Sequence, residues 1–316
     1  MRFFHPCVIA KQVEFTQARC MRSLCLTFLF SAACLIAAAA EPLDLRDGDR
    51  VVFLGNSFFE RALDHGYLET ELTLRYYDKA IQFRNLGWDG DTVYGHARTG
   101  GRRRTVFGDT EEGFQRLVDH VRTLQPTVVF VAYGFNECFD GEPGLKPFRK
   151  GLVRLLTSIA SDKKTRFVLI IPPAPEQDVG LVYAMLKRYG AVIQNVASKH
   201  GHAVVDLFKE SGALRKEHFE NGIHLSRSGY QQVAKTTGDQ LQLPEATSRI
   251  SADKRERLRQ TIVAKNRLYY HRWRPRNDAF VYGERKDEQK IAQTEPEKFE
   301  PFIAKQETLI RQLLKP

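Results

Sequence analysis

Between Asp49 and Gln240 short apolar runs alternate with longer stretches of helical period. The runs are Val51–Leu54, Ile81–Leu86, Thr127–Ala132, Phe167–Ile171 and Ala203–Val205, most of them rich in β-branched or aromatic residues. Continuous apolar runs of this length read as strands buried on both faces. Between them, Arg61–Tyr77, Glu111–Leu124, Leu145–Ala160, Val179–His200 and Ser228–Gln240 carry a helical pattern. The alternation predicts an α/β fold: a small doubly wound parallel sheet of about five strands, a flavodoxin-like three-layer sandwich. No internal repeat interrupts it. After Pro244 the character changes. Glu245–Leu268 is charged and helical, Tyr269 to Pro275 mixes aromatic and basic residues, and a last amphipathic helix is predicted near Phe302–Leu314. Too little apolar material lies there for a separate core. The expected organisation is one α/β domain over 41–244 and a mostly helical extension over 245–316 that packs back on it.

Composition adds compartment more than chemistry. The chain has 316 residues, 42% hydrophobic and 27% charged, which suits one globular domain with extensions and a core needing no staples. Its net charge of +10 sits at the ends, with 17 basic and 11 acidic residues in 245–316, so it says little about a central site. Met21-Arg22 precedes an uncharged, largely apolar run from Leu24 to Ala40 that ends Ala38-Ala39-Ala40-Glu41. A basic start, apolar centre and small-residue end predict a secretory signal peptide over 1–40, with Met21 as an alternative start and cleavage after Ala40. A retained anchor is the competing reading; the run is short for a span. The expected location is periplasmic or extracellular, with no stable membrane insertion after cleavage. Cys7, Cys20, Cys25 and Cys34 would leave with the peptide, and Cys138 would remain as the single thiol. The basic-aromatic run Tyr269–Arg276 could suit nucleic acid, but such residues also serve ordinary docking, and an exported protein is expected to have no nucleic-acid partner.

Four stretches could carry chemistry. Gly55-Asn56-Ser57 follows the first strand, Gly87-Trp88-Asp89-Gly90-Asp91 the second, and Gly134-Phe135-Asn136-Glu137 the third; Asn221-Gly222-Ile223-His224 precedes the last helix of the sheet region. In a parallel sheet these loops open on one edge, where ligands bind. A serine, a glycine N–H, an asparagine amide and a histidine would converge there, which is a parts list for acyl transfer. Ser57 alone reads equally as a helix N-cap.

In these four blocks, from about Asp49 to Gln240, the chain resembles the SGNH, or GDSL-type, hydrolases. The resemblance implies an esterase in which Ser57 is the nucleophile. Ser57 N–H, Gly90 N–H and the Asn136 amide would hold the oxyanion, and His224 would be the general base. Asn56 and Glu137 are mild departures from that pattern. Asn221 is the serious one, because the family has aspartate there to orient and charge-balance the imidazole; Glu220 next door is a substitute candidate. In a serine protease the equivalent change lowers turnover about ten-thousand-fold. The implied substrates are small-molecule or glycan esters with small acyl groups. The alternative is an SGNH-fold binding module for a glycan or envelope partner. Trp88 is a candidate sugar platform or a packing residue, and Arg102 and Arg103 are candidate anion-binding rim residues or a solvated loop. The remaining histidines show no metal-ligand spacing, and glycine-rich nucleotide motifs are lacking, so neither a metal nor a cofactor is expected. Oligomeric state is left open.

Overall fold

The computed structural model describes residues 43–99, 110–161, 164–176, 180–209, 214–247, 249–275, 278–281, 283 and 285–315. The predicted signal peptide and Arg102–Arg103 lie outside them. Five strands, β1 (Arg50–Gly55), β2 (Gln82–Asn85), β3 (Val128–Ala132), β4 (Arg166–Ile171) and β5 (Ala203–Asp206), form one parallel sheet in the order β2-β1-β3-β4-β5. This is the flavodoxin-like order. Phe53 sits opposite Asn85 on one side and Phe130 on the other, so the ends of β1, β2 and β3 open together.

Alternate strand residues feed two cores. Val52, Leu54, Val129, Val131, Leu169 and Ile171 pack with α3 (Thr110–Thr123), α4 (Gly141–Ile159) and α5 (Leu181–His200). Val51, Phe53, Val128, Phe130, Val168 and Ile170 pack with α1 (Ser57–His65), α2 (Tyr67–Arg75) and α6 (Arg227–Gln240). Burial on both faces explains the unbroken apolar runs. One expectation is corrected: the helical stretch Arg61–Tyr77 is two helices that begin at Ser57. Gly66, with φ 69°, ends α1 in the left-handed region and turns the chain into α2.

The residues after Pro244 form α7 (Ala252–Trp273), a one-turn α8 (Asp278–Val281) and α9 (Glu300–Leu313). Helix α7 lies along β2, the edge strand. The Phe83 carbonyl accepts hydrogen bonds from Arg84 (2.9 Å) and from Lys265 of α7 (3.2 Å) in place of a further strand. The Lys265 ammonium also pairs with Glu69 of α2, both side chains being buried. Burial pushes the Lys265 pKa down, with Glu69 opposing it. Leu258 and Ile262 join Leu74 and Ile250 in a third apolar cluster, on which Ile310 and Leu313 rest. Among the described residues no helix is long and apolar enough to cross a membrane.

Lys265→Met should cost about 3–5 kcal/mol in urea unfolding, because Glu69 is left buried without its partner. The double variant Lys265→Met/Glu69→Leu should recover most of that loss. Equal midpoints for the two proteins would count against an ion pair that fastens α7 to α2.

Candidate active site

The site is built at the carboxyl end of β1. Gly55 ends the strand against β3, since a Cβ there would stand 2.5 Å from the Ala132 carbonyl oxygen. Asn56 is the N-cap of α1, and its side-chain oxygen accepts the Phe58 N–H at 3.1 Å. Ser57 is therefore the first helical residue, and its hydroxyl is not spent on capping. It donates instead to the Asp89 carboxylate. Asp89 belongs to the loop after β2. That loop is sewn to its surroundings by Trp88 N–H to the Gly55 carbonyl (2.9 Å) and by Asn85, which reaches the Phe59 carbonyl (2.7 Å) and the Gly87 N–H (2.8 Å). Gly87 presses on α1 so closely that a Cβ would lie 2.2 Å from the Glu60 nitrogen. A turn follows, closed by Asp91 N–H to the Trp88 carbonyl at 3.0 Å, with Gly90 at φ 73° in its third position. The Gly90 N–H has no partner among the described residues.

Asn136 follows β3 and donates one amide N–H to the Asp91 carbonyl at 2.8 Å, leaving its second N–H for another acceptor. Beneath lies a buried polar set. The Asp91 carboxylate takes Arg98 Nε at 2.8 Å and the Tyr133 hydroxyl at 2.9 Å. The Glu137 carboxylate takes the N–H groups of Val93 (2.8 Å) and Gly134 (2.7 Å), and burial pushes its pKa up to about 7 against those two bonds. Cys138 beside it is buried, and burial raises its thiol to about 12.

His224 reaches the site from the other side. Asn221 Oδ1 accepts the His224 N–H at 2.9 Å and the Ile223 N–H at 3.3 Å, while its Nδ2 lies 3.0 Å from His224 Nδ1. Burial, then the Arg61 charge, holds His224 below the usual imidazole range, with Asp89 and Glu220 opposing. The Glu220 carboxylate is turned to Arg61, at 3.0 Å, and does not bond the ring. Ser57 and His224 share the wall of one pocket of about 60 Å³, otherwise mostly apolar, with Phe58, Phe135, Pro172 and Ile223 among its lining. No hydrogen bond joins Ser57 to His224 among the described residues.

Residues 53–232 match the model of the GDSL-like lipase/acylhydrolase family, more than half of the chain. The chain belongs to that family. Solved structures agree in fold. A serine-to-alanine form of Axe2, an acetylxylan esterase from Geobacillus stearothermophilus, is 15% identical with a TM-score of 0.52, covering 66% of this chain and all of that one. A tryptophan-to-isoleucine form of the same enzyme is 15% identical with a TM-score of 0.51, over 65% of this chain and all of that one. A gut microbial diltiazem-metabolizing enzyme is 18% identical with a TM-score of 0.50 over 64% of this chain. This chain spans about half of that enzyme, 49%. No curated protein matches.

Within this GDSL-like chain, the structure brings Ser57, Gly90, Asn136, Asn221 and His224 to one sheet edge. Trp88 is not on the pocket wall. It packs edge-on to Trp273 (5.6 Å) and beneath the Arg274 guanidinium (4.1 Å). Three acidic residues around the site, Asp89, Asp91 and Glu60, were not legible as such. Glu60 takes the Asp89 N–H and Arg274 Nη1 (2.8 Å), so the extension reaches the loop that carries Gly90. Only their place beside Trp88 and Gly90, or one turn after Ser57, could have flagged them.

His120 caps the far side of Arg98 at 3.2 Å, and burial, then the charges of Arg98 and Arg116, push it down to about 3. The folded chain thus refuses a proton that the unfolded chain takes below about 6.5. Stability should fall as pH drops from 6.5 toward 3, by up to about 3 kcal/mol at pH 4 from this residue. His120→Gln should flatten that part of a urea-stability profile; an unchanged slope would contradict a neutral buried imidazole.

Proposed function

We propose that the protein is an exported serine ester hydrolase that removes short acyl groups, through an acyl-Ser57 intermediate. The observation that carries this reading is Ser57, freed from capping by Asn56, at the positive end of α1, sharing one small apolar pocket with an imidazole and adjoining the donors Gly90 and Asn136. Ser57 Oγ attacks the acyl carbonyl and its proton passes to a base. In the family pattern that base is His224. The oxyanion is held by the Ser57 and Gly90 N–H groups and the second Asn136 amide hydrogen. The alcohol departs with a proton, and water then releases the acid.

The pocket volume argues for a short chain. About 60 Å³ accommodates a few heavy atoms, against the few hundred cubic ångströms that hold a drug-sized ligand. Acetyl on carbohydrate is the substrate class this reading favours, in keeping with the fold shared with an acetylxylan esterase, an argument by analogy. Export rests on the apolar segment Leu24–Ala40. A second reading, a glycan-binding module that has lost efficient catalysis, draws on Asn221 and on the Ser57 hydroxyl bonding to Asp89 and not to His224.

Purified protein should hydrolyse p-nitrophenyl acetate at least about tenfold faster than the octanoate, and Ser57→Ala should lose about a thousandfold or more of that activity. Asn221→Asp should raise turnover at least about tenfold, recovering part of what an uncharged partner costs. Hydrolysis by Ser57→Ala equal to the parent would end the acyl-serine reading. No turnover in the parent, together with specific retention on acetylated glycan, would favour the binding module.

A further inference from the structure

We infer that Arg274, in the carboxyl-terminal extension, is a positioning residue for the Gly90 N–H; this rests on the reading of Ser57 as the nucleophile and Gly90 as an oxyanion donor. Arg274 lies outside residues 53–232, so it belongs to a part of the chain that the family match does not cover. It caps the carboxyl end of α7, where its backbone N–H bonds the Tyr270 carbonyl at 2.9 Å. From there its side chain reaches both halves of the candidate site. Its guanidinium stands over the Trp88 ring, 4.1 Å from the centre, two residues before Gly90. Its Nη1 donates to Glu60 at 2.8 Å, three residues after Ser57. One side chain thus ties the loop after β2 to the helix that carries the nucleophile. Tyr270 flanks the same guanidinium at 5.4 Å.

The loop needs such a tie. Gly90 is exposed, at φ 73°, with open space where a Cβ would stand. Glycine has more backbone freedom than any other residue, so the direction of its N–H is set by its neighbours. On one side Asp91 is held by Arg98 and Tyr133. On the other, Trp88 is held in three ways: by its own N–H to the Gly55 carbonyl at 2.9 Å, by Trp273 edge-on at 5.6 Å, and by Arg274 over its face. Two of those three come from the extension. Arginine suits the place, because a planar guanidinium lays its face on an indole while its edge donates to a carboxylate. Lysine could keep the pair with Glu60 but not the stack. Oxyanion donors stabilise charge because they are aimed before it develops. Misplacing such a group by about 1 Å can cost about a hundredfold in rate. Arg274 is not on the wall of the Ser57 pocket, so it acts through Trp88 and Glu60.

The test compares Arg274→Ala and Arg274→Lys with the parent, in p-nitrophenyl acetate hydrolysis and in the rate at which a fluorophosphonate labels Ser57. Both are measured well below the melting temperature of each protein, so a loss of stability does not read as a loss of rate. Arg274→Ala should lower kcat about ten- to hundredfold, with KM within about threefold of the parent. Labelling should slow by a similar factor, because the phosphoryl oxygen draws on the same donors. Arg274→Lys should stay at least about fivefold below the parent, since it keeps the charge and loses the stack. Millimolar guanidinium should restore part of the lost kcat in Arg274→Ala and none in Ser57→Ala. A kcat for Arg274→Ala within about twofold of the parent, or a loss that falls in KM and not in kcat, overturns the proposal while the esterase reading stands. A parent that neither turns over the ester nor is labelled at Ser57 overturns the esterase reading and this proposal with it, so labelling of the parent separates the two failures.

Discussion

The Arg98–Asp91 ion pair is the constraint on which the site depends. Both side chains are wholly buried. Arg98 spends its fork on three groups: the Asp91 carboxylate, the Leu86 carbonyl at 2.8 Å and His120 Nδ1 at 3.2 Å. Its guanidinium is also stacked near Trp88 (5.3 Å) and Trp273 (5.5 Å). Lysine could not make these contacts, since they need a planar fork with an apolar face. Burial alone would lower the Arg98 pKa, but Asp91 beside it more than offsets that, and the charge is retained. The pair ties Arg98 back to the start of the loop after β2 and leaves the Asp91 carbonyl aimed at Asn136. Trp273 is the last residue of α7, so the loop that carries Gly90 is roofed by the carboxyl-terminal extension.

Two buried carboxyls so close to the Gly90 N–H and the Asn136 amide pose an electrostatic problem. Negative charge brought to those donors would be repelled by any unbalanced carboxylate nearby, and strongly where water is excluded. The chain answers in two ways. Asp91 is matched by Arg98. Glu137, with no cation in contact among the described residues, is pushed up to about 7 by burial and so holds a proton for much of the time near neutral pH, while its oxygens still order Val93 and Gly134. The loops after β2 and β3 are joined at little cost in adverse field.

The sheet could be read from the sequence because its strands are buried on both faces and therefore spelled in unbroken apolar letters. The four candidate blocks stand out in the sequence because each follows or precedes a periodic segment. Partnerships across the chain could not. Asp89, Asp91 and Glu137 are indistinguishable in sequence from solvated loop acids, and Arg98 is one arginine in a glycine- and arginine-rich loop. What gives Asp91 and Arg98 meaning is Tyr133, 42 residues from Asp91, and His120 and Trp273, 22 and 175 residues from Arg98. The helix break was hidden for a local reason: Phe59, Leu63 and Tyr67 keep a helical spacing of four across Gly66, and only the left-handed turn there divides them. Asn56 was read as part of a motif, whereas its physical effect is to cap α1 and so free the neighbouring hydroxyl.

Asn221 then takes on a different aspect. An aspartate at that position would place a charge on the far side of the imidazole. The amide orients the ring through the same three-residue turn but brings no charge, and burial together with Arg61 further disfavours an imidazolium. On the other side of the serine stands a carboxylate, Asp89, which meets the Ser57 hydroxyl and is held by Glu60 and, through it, by Arg274. The carboxyl-terminal extension therefore braces the negative group nearest Ser57 as well as the loop that carries Gly90, so the charge that position 221 lacks is matched by one that the rest of the chain holds beside the serine.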